Sequence, residues 1–106
     1  MIVLPDPLHF QWDAGNDRKN EEKHAVSMQE CEEVFFEEEK LMSHDLKHSH
    51  SESRHVLLGK TQSGRLLFIV FTTRNYHFIR VISARDVNKR EKILYEKATE
   101  HTKIQK

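Results

Sequence analysis

Arginine is the residue in this chain whose placement most suggests chemistry. Six of the seven arginines lie after residue 53, at positions 54, 65, 74, 80, 85 and 90. A guanidinium group stays charged at every relevant pH and donates two parallel hydrogen bonds to phosphate or carboxylate oxygens. Several of these arginines fall inside segments that the pattern predicts as strands, so a sheet would hold them at fixed spacing. The sequence therefore predicts an anion-binding face.

Arg80 is the arginine with the clearest need for a partner. It lies in mid-strand between the apolar residues Ile79 and Val81, where an unpaired charge would be costly. Regular alternation along this strand places Arg80 on one face and Arg85 on the other. For the remaining arginines, an exposed position at the end of a strand is an equally good explanation.

Three other side chains could move protons. Lys23 and His24 end the first predicted helix, where positive charge suits the carbonyl end of the helix dipole. Either one could instead act as a general acid or base at the basic face. Tyr95 on the last predicted helix has the same two interpretations, packing or proton transfer. Cys31 falls on the apolar face of a helix, which does not favour a nucleophile.

A metal site is the obvious interpretation of the histidine-rich stretch. Its candidate ligands are His44, Asp45, His48, His50 and His55. The stretch has neither a second cysteine nor a helical His-Glu-x-x-His pattern, and a serine-rich loop does not fix ligand geometry. We predict a polar, solvated loop here and no metal.

Composition limits the class of protein. The 106 residues are 37% hydrophobic and hold one cysteine, which predicts a single domain without an internal disulfide. No apolar run is long enough to cross a membrane, and the N-terminus does not resemble a secretory signal, so we expect a cytoplasmic protein. The net charge of zero conceals two opposite halves, −8 up to residue 53 and +8 after it.

The elements that must position these residues follow from pattern. Residues 9–12 alternate like a short edge strand, Asp13 is the expected N-cap of a helix that runs to Lys23, and Ser27 with Glu30 forms a capping box that starts a second helix. Residues 37–53 read as a loop that contains at most one irregular strand. Three strands of an antiparallel meander are predicted at 54–60, 65–73 and 78–84. Asp86 is the expected cap of a final helix through Ala98.

The predicted fold class is α+β, a small antiparallel sheet with helices in the order β-α-α-β-β-β-α. The middle strand of the meander is apolar on both faces, so we expect it to be central and covered on both sides, or nearly so. The predicted organisation is an extended lead-in at 1–8, a single domain at 9–98 and a polar C-terminal tail at 99–106.

An ordered set of motifs resembles the BrnT toxin family, over about residues 10 to 96. The set comprises Phe10-x-Trp12-Asp13, Asn20-x-x-Lys23-His24-x-Val26-Ser27, Val34-Phe35, Glu52-x-Arg54, Gly59, Gly64-Arg65-Leu66-Leu67, Thr72-x-Arg74, Ile79-Arg80-x-Ile82-Ser83-Ala84-Arg85, Arg90-Glu91 and Tyr95. The family usually has glycine where this chain has Ala25. A left-handed backbone there would cost on the order of 1 kcal/mol. The segment before Arg54 also departs from the family, which usually has acidic residues and glycine there.

The resemblance implies a RelE-like fold and the toxin of a bacterial type II toxin–antitoxin pair, which cleaves RNA and arrests growth. It also implies neutralisation by BrnA, a ribbon-helix-helix antitoxin, in a heterotetramer that reaches DNA only through the antitoxin. No cofactor and no membrane are expected. RNA can be cut without metal when its 2′-hydroxyl attacks the adjacent phosphate.

For that reaction we expect Arg80 and Arg54 to clamp the phosphate, with Lys23 or His24 and Tyr95 as the proton-handling candidates. We expect the remaining arginines to bind the RNA backbone, namely Arg65, Arg74, Arg85 and Arg90. A non-catalytic module that docks RNA or an acidic antitoxin segment through the same arginines is the alternative. A metal-dependent enzyme that uses the histidine loop is a third, weaker one.

Overall fold

The computed structural model of the chain describes residues 4–45, 52–75 and 77–104. These residues form a mixed α+β fold, as predicted, with eight elements in the order β-α-α-β-β-β-β-α. The elements are β1 (His9–Phe10), α1 (Lys19–His24), α2 (Met28–Phe36), β2 (Leu41–His44), β3 (His55–Lys60), β4 (Leu66–Arg74), β5 (Phe78–Asp86) and α3 (Lys89–Ile104). The strand β2, which the predicted order omitted, lies in the segment predicted as a loop with at most one irregular strand.

The five strands form one sheet in the order β1-β5-β4-β3-β2. Strands β3 to β5 are antiparallel, as the meander pattern predicted, and β2 adds a further antiparallel strand. The short strand β1 is at the edge, as expected, but it pairs with β5 in parallel, so the sheet is mixed rather than wholly antiparallel. A parallel neighbour requires a long crossover, and here residues 11–77 supply it.

Strand β4 is central, and its two faces differ in burial. Leu67, Ile69 and Phe71 are fully buried on one face, in a core shared with Val34 and Phe35 of α2. Phe68 and Val70 on the opposite face are only half-buried. We call the face that carries Phe68, Val70 and Thr72 the open face, although Thr72 itself is buried. The expectation that both faces are covered therefore holds for the α2 side and only partly for the open face.

A bulge in β5 changes which arginines share a face. Val70 pairs with Ser83 and the next residue, Phe71, pairs with Val81, so Ile82 has no partner in the register. An extra residue on one strand shifts the side-chain alternation of everything beyond it.

The consequence is that Arg80 pairs with Thr72 and Arg85 pairs with Phe68, two residues that lie on the same face of β4. The buried residues Ile79, Val81 and Ala84 follow the same shifted spacing on the core face. The prediction that Arg80 and Arg85 point to different faces was wrong, because it assumed a regular strand.

Of the three predicted helix caps, the structure confirms one. Ser27 and Glu30 make the predicted capping box at the start of α2. Asp13 does not cap a helix, because residues 14–18 form turns and α1 begins only at Lys19. Asp86 is the last residue of β5, and Asn88 caps α3 instead through reciprocal bonds with Glu91. Within the described residues, no helix is both long enough and apolar enough to cross a membrane.

The helix α3 continues to Ile104, beyond the end predicted at Ala98.

The loop between β1 and α1 is tied to β5 by two buried asparagines. Asn16 donates to the carbonyl of Val81 at 3.0 Å, and Asn20 accepts from the amide of Ala84 at 2.9 Å. These bonds satisfy backbone groups on the β1 side of β5 and hold the loop beside Arg80.

Candidate functional site

Two of the predicted arginine positions flank one residue of β4 at one end of the open face. Arg80 on β5 is opposite Thr72 of β4. The hydroxyl of Thr72 donates to the carbonyl of Ser53 at 2.7 Å, which places Ser53 and Arg54 beside Thr72 on the β3 side. Arg54 and Arg80 therefore flank the same residue of the central strand.

Arg80 has the partner that its mid-strand position requires. Its two terminal nitrogens donate to the two carboxylate oxygens of Asp13 at 2.8 and 3.1 Å, and Nη1 also donates to the side chain of Gln11 at 3.2 Å. Hydrogen bonds from Arg80 lower the pKa of Asp13. The side chain of Asp13 is 55% exposed and that of Arg80 is 17% exposed, so the pair opens to solvent on its acidic side.

The backbone of Gly15 lies against this pair. A Cβ atom at Gly15 would be 3.0 Å from Nη2 of Arg80 and 3.1 Å from the Asp13 carboxylate. Such contacts are closer than real Cβ atoms normally make, so a larger residue would push the guanidinium aside. The loop from Gln11 to Gly15 therefore contacts the guanidinium of Arg80 closely and fixes its position.

Next to Arg80 the open face carries an aromatic group. Phe78 is two residues from Arg80 on β5 and is 39% exposed. It pairs in register with Arg74 on one side and with His9 on the other. The rings of His9 and Phe78 are 6.1 Å apart. Arg74 is exposed and forms an ion pair with Glu52 at 3.2 Å.

Arg85 occupies the far part of the open face. Its guanidinium stacks over the ring of Phe68 at 4.1 Å and makes a bidentate pair with Glu91 of α3 at 2.8 and 2.9 Å. Thr72 and Phe68, the partners of Arg80 and Arg85, are four residues apart, which is about 13 Å along a strand. Arg85 thus joins the sheet to α3, and the carboxylate of Glu91 offsets its charge.

Arg65 lies away from the open face, at the junction between α1 and α2. It donates to both oxygens of Asp86, at 2.7 and 3.0 Å, and to Glu30 at 3.2 Å. It also donates to the carbonyls of His24 and Ala25, at 3.1 and 2.7 Å. Through these contacts Arg65 joins the end of α1, the start of α2 and the end of β5. They give no support to the expectation that Arg65 binds RNA.

The three proton-handling candidates are dispersed. Tyr95 is 3% exposed, donates to the carbonyl of Glu39 at 2.8 Å, and has a pKa raised by burial. It lines a groove with Leu66, which is six residues from Thr72 and so about 20 Å along β4. Lys23 and His24 are exposed at the end of α1. The structure does not bring Tyr95 together with Arg54 and Arg80.

Lys23 differs from His24 in one respect. It lines a groove that also includes Gly15, whose backbone lies against Arg80. His24 contributes its carbonyl to Arg65 instead. Arg90, another predicted RNA-binding residue, is exposed on the first turn of α3.

The described residues contain no group of three or more histidine, cysteine or acidic side chains able to hold a metal ion. His48 and His50 of the predicted loop lie outside those residues. His44 and His55 face each other across β2 and β3, with ring centroids 5.3 Å apart. Cys31 is buried, and burial raises its pKa to about 12, which agrees with the prediction that it is not a nucleophile.

Sequence reasoning missed Asp13, Gln11, His9 and Phe78 as members of this site. Asp13 stands in the Phe10-x-Trp12-Asp13 motif, but its position before a polar run indicated a helix cap. His9 and Phe78 become neighbours only through the parallel pairing of β1 with β5. Sequence separation hid that pairing, because the two strands are 67 residues apart.

Comparison with known proteins connects this arrangement to one family. A family model described as "Ribonuclease toxin, BrnT, of type II toxin-antitoxin system" matches residues 12–91. Among curated proteins, none matches the chain. The crystal structure of the Brucella abortus ribonuclease toxin BrnT matches with a TM-score of 0.58 and 17% sequence identity, over 77% of this chain and 99% of that chain. This chain therefore belongs to the BrnT family of ribonuclease toxins of type II toxin–antitoxin systems.

Proposed function

We propose that this chain is a metal-independent endoribonuclease, the growth-arresting toxin of its toxin–antitoxin pair. Family membership supports the class of activity. The observation that supports the location is the placement of two arginine positions, 80 on β5 and 54 just before β3, on either side of Thr72 of the central strand. Such a pair matches the needs of a phosphate whose negative charge grows during cleavage.

Metal-free cleavage requires a bound phosphate, a proton acceptor for the 2′-hydroxyl and a proton donor for the leaving oxygen. We assign the phosphate to Arg80 and Arg54. Arg74 and Arg85 lie on the same face and would hold neighbouring phosphates of the RNA backbone. Because the carboxylate of Asp13 occupies the terminal nitrogens of Arg80, an RNA phosphate must compete with Asp13 or bind beside it.

Proton handling is the less supported part of the proposal. Lys23 is the best supported of the predicted candidates, because it lines the same groove as Gly15, whose backbone lies against Arg80. The positions of His24 and Tyr95 favour structural roles, since His24 ends α1 and Tyr95 joins α3 to the carbonyl of Glu39. Arg65 likewise has a structural role, whereas an RNA contact of Arg90, which is exposed on the first turn of α3, stays a prediction.

The partner we propose is a BrnA-like ribbon-helix-helix antitoxin, in a heterotetramer that contacts DNA only through the antitoxin. We further propose a RelE-like relationship for the fold and a cytoplasmic location. The family description supports a toxin–antitoxin pair. The identity of the antitoxin and the stoichiometry rest on the family resemblance.

The test is cleavage of single-stranded RNA by the purified chain, freed of antitoxin, in excess EDTA. Arg80→Ala should lower the cleavage rate about 100-fold, the typical loss when one preorganised donor to a developing charge is removed. Arg80→Lys keeps the charge but loses the two-pronged geometry, so it should recover only part of the rate. Lys97→Ala, which removes a positive charge from an exposed position on α3, is the matched control.

Each outcome separates two functions, provided that circular dichroism shows every variant to be folded. Cleavage in EDTA that Arg80→Ala abolishes and Lys97→Ala preserves supports the proposal. Cleavage that stops in EDTA and returns with a divalent cation contradicts metal independence. Binding of RNA without cleavage favours the alternative, a basic module that only docks RNA or an acidic antitoxin segment.

A further inference from the structure

The exposed aromatic ring next to the arginines has no assigned role. Phe78 is 39% exposed, and its register partners are exposed as well, with His9 on β1 and Arg74 on β4. Phe10, the neighbour of His9, faces the core instead, where its ring meets that of Phe35 at 5.3 Å. The alternation along β1 and β5 therefore sets His9 and Phe78 on the open face, together with Arg80.

We propose that Phe78 is a stacking platform for one unpaired base of single-stranded RNA. The inference rests on the proposed function, since it names the part of the RNA that sits next to the Arg80 phosphate site. Every nucleobase has a π-face, so an exposed ring beside guanidinium groups binds RNA with little sequence preference. His9, whose ring lies 6.1 Å from that of Phe78, borders the platform on the β1 side.

The charges around Phe78 favour a nucleic acid over an apolar partner. Arg74 is its neighbour across the strands, and Arg80 is two residues away on the same face. The ion pairs of both arginines are open to solvent. In the Arg74–Glu52 pair the side chain of Arg74 is 44% exposed, and in the Arg80–Asp13 pair the side chain of Asp13 is 55% exposed. A base on Phe78 would therefore place its flanking phosphates within reach of guanidinium groups on both sides.

A second exposed ring, that of Phe36, lies in a different electrostatic setting. Phe36 is even more exposed, at 65%, but it lies on α2 in a groove lined by Glu32, Glu33 and Glu37. Among the described residues no arginine or lysine lines that groove, whereas the carboxylates near Phe78, Glu52 and Asp13, are each paired with an arginine. Unpaired carboxylates repel a phosphate backbone, so the setting of Phe36 is unsuited to RNA. It supplies a matched control for substitutions at Phe78.

The experiment measures binding of a fluorescent single-stranded RNA oligonucleotide that carries 2′-O-methyl groups and so resists cleavage. Phe78→Leu keeps an apolar side chain but removes the π-face, and Phe78→Trp keeps a π-face. We expect Phe78→Leu to weaken binding roughly 5- to 150-fold. Binding by Phe78→Trp should stay near wild type, and Phe36→Leu should have no effect.

Salt dependence distinguishes stacking from charge. Loss of a phosphate contact reduces the slope of log K against log salt, and loss of stacking leaves that slope unchanged. Phe78→Leu should therefore shift the line without changing its slope, whereas Arg74→Ala should reduce the slope by about 1.

Binding by Phe78→Leu equal to wild type would overturn the inference. So would a loss confined to antitoxin binding, because the ring would then be a protein contact. Wild-type protein that binds the oligonucleotide through Phe78 but cleaves no RNA would leave the platform in place and remove only the proposed catalysis.

Discussion

Asp13 holds Arg80 by both of its terminal nitrogens, at 2.8 and 3.1 Å, on the face where we place the RNA phosphate. Asp13 and Gln11 take three of the five N–H donors of this guanidinium, so a phosphate either displaces the carboxylate or uses the two remaining donors. Asp13 is the partner that makes a mid-strand arginine tolerable, and we expect it to compete with the ligand.

Replacing Asp13 with asparagine should tighten RNA binding. The substitution removes an exposed ion pair that competes with the phosphate, so the affinity for a non-cleavable oligonucleotide should rise roughly 1.5- to 5-fold. Fluorescence anisotropy at fixed salt measures it, with Asp17→Asn as the control for the change in net charge. Weaker binding by the Asp13 variant would mean that the carboxylate positions Arg80 and does not compete.

Substitution of Arg65 should cost stability and leave RNA binding almost unchanged. Arg65→Ala removes the bonds to Glu30, Asp86 and two backbone carbonyls, which should lower the free energy of unfolding by about 1–3 kcal/mol. Arg65→Lys should recover only a part, because an ammonium group cannot bridge several acceptors in one plane. Urea denaturation measures the loss. A reduced salt slope for RNA binding with unchanged stability would instead restore Arg65 as a phosphate contact.

Ala25→Gly should stabilise the protein. Ala25 ends α1 with φ of 53° and ψ of 39°, the left-handed conformation that costs an alanine about 1–2 kcal/mol. Glycine loses more chain entropy on folding, so the expected net gain is about 0.5–1 kcal/mol. Ala98→Gly, on the exposed side of α3, should destabilise by a similar amount and serves as the control. Equal losses at both positions in urea denaturation would contradict the strain argument.

His55 should make stability depend on pH below neutrality. Burial, and then the neighbouring His44, lower the pKa of His55 from 6.5, and its buried Nδ1 has no hydrogen-bond partner in the described part of the chain. A lowered folded-state pKa means that the unfolded chain binds more protons below pH 6.5. Stability is then fully present above that pH and is lost as the pH falls toward the folded-state pKa.

The measurement is the urea midpoint at pH 7.5 and at pH 5.5, where most of the paired carboxylates remain ionised. The midpoint of the wild type should fall between the two values. His55→Phe should remove most of that change, and the exposed control His77→Gln should retain it. An unchanged wild-type midpoint would contradict the proposed cost of protonating His55.

Features that depend on near neighbours in the chain could be predicted from local pattern. The capping box of Ser27 and Glu30 acts within one helical turn, so pattern alone located the start of α2. Two-residue alternation located β3, β4 and β5, and the apolar character of β4 predicted its central place. The ordered motifs also indicated the family, because they record residue types whatever their positions in space.

The distribution of the arginines between the two faces depends on strand pairing between distant parts of the chain. The extra residue at Ile82 is visible solely against its partner strand, and it moves Arg85 to the face of Arg80. Likewise, Asp13 has the local signature of a cap, but a guanidinium 67 residues away binds its carboxylate more favourably. Arg65 likewise binds Asp86 and the carbonyls of His24 and Ala25. Which of several distant partners a side chain binds depends on how the elements pack together, and local sequence pattern does not contain that information.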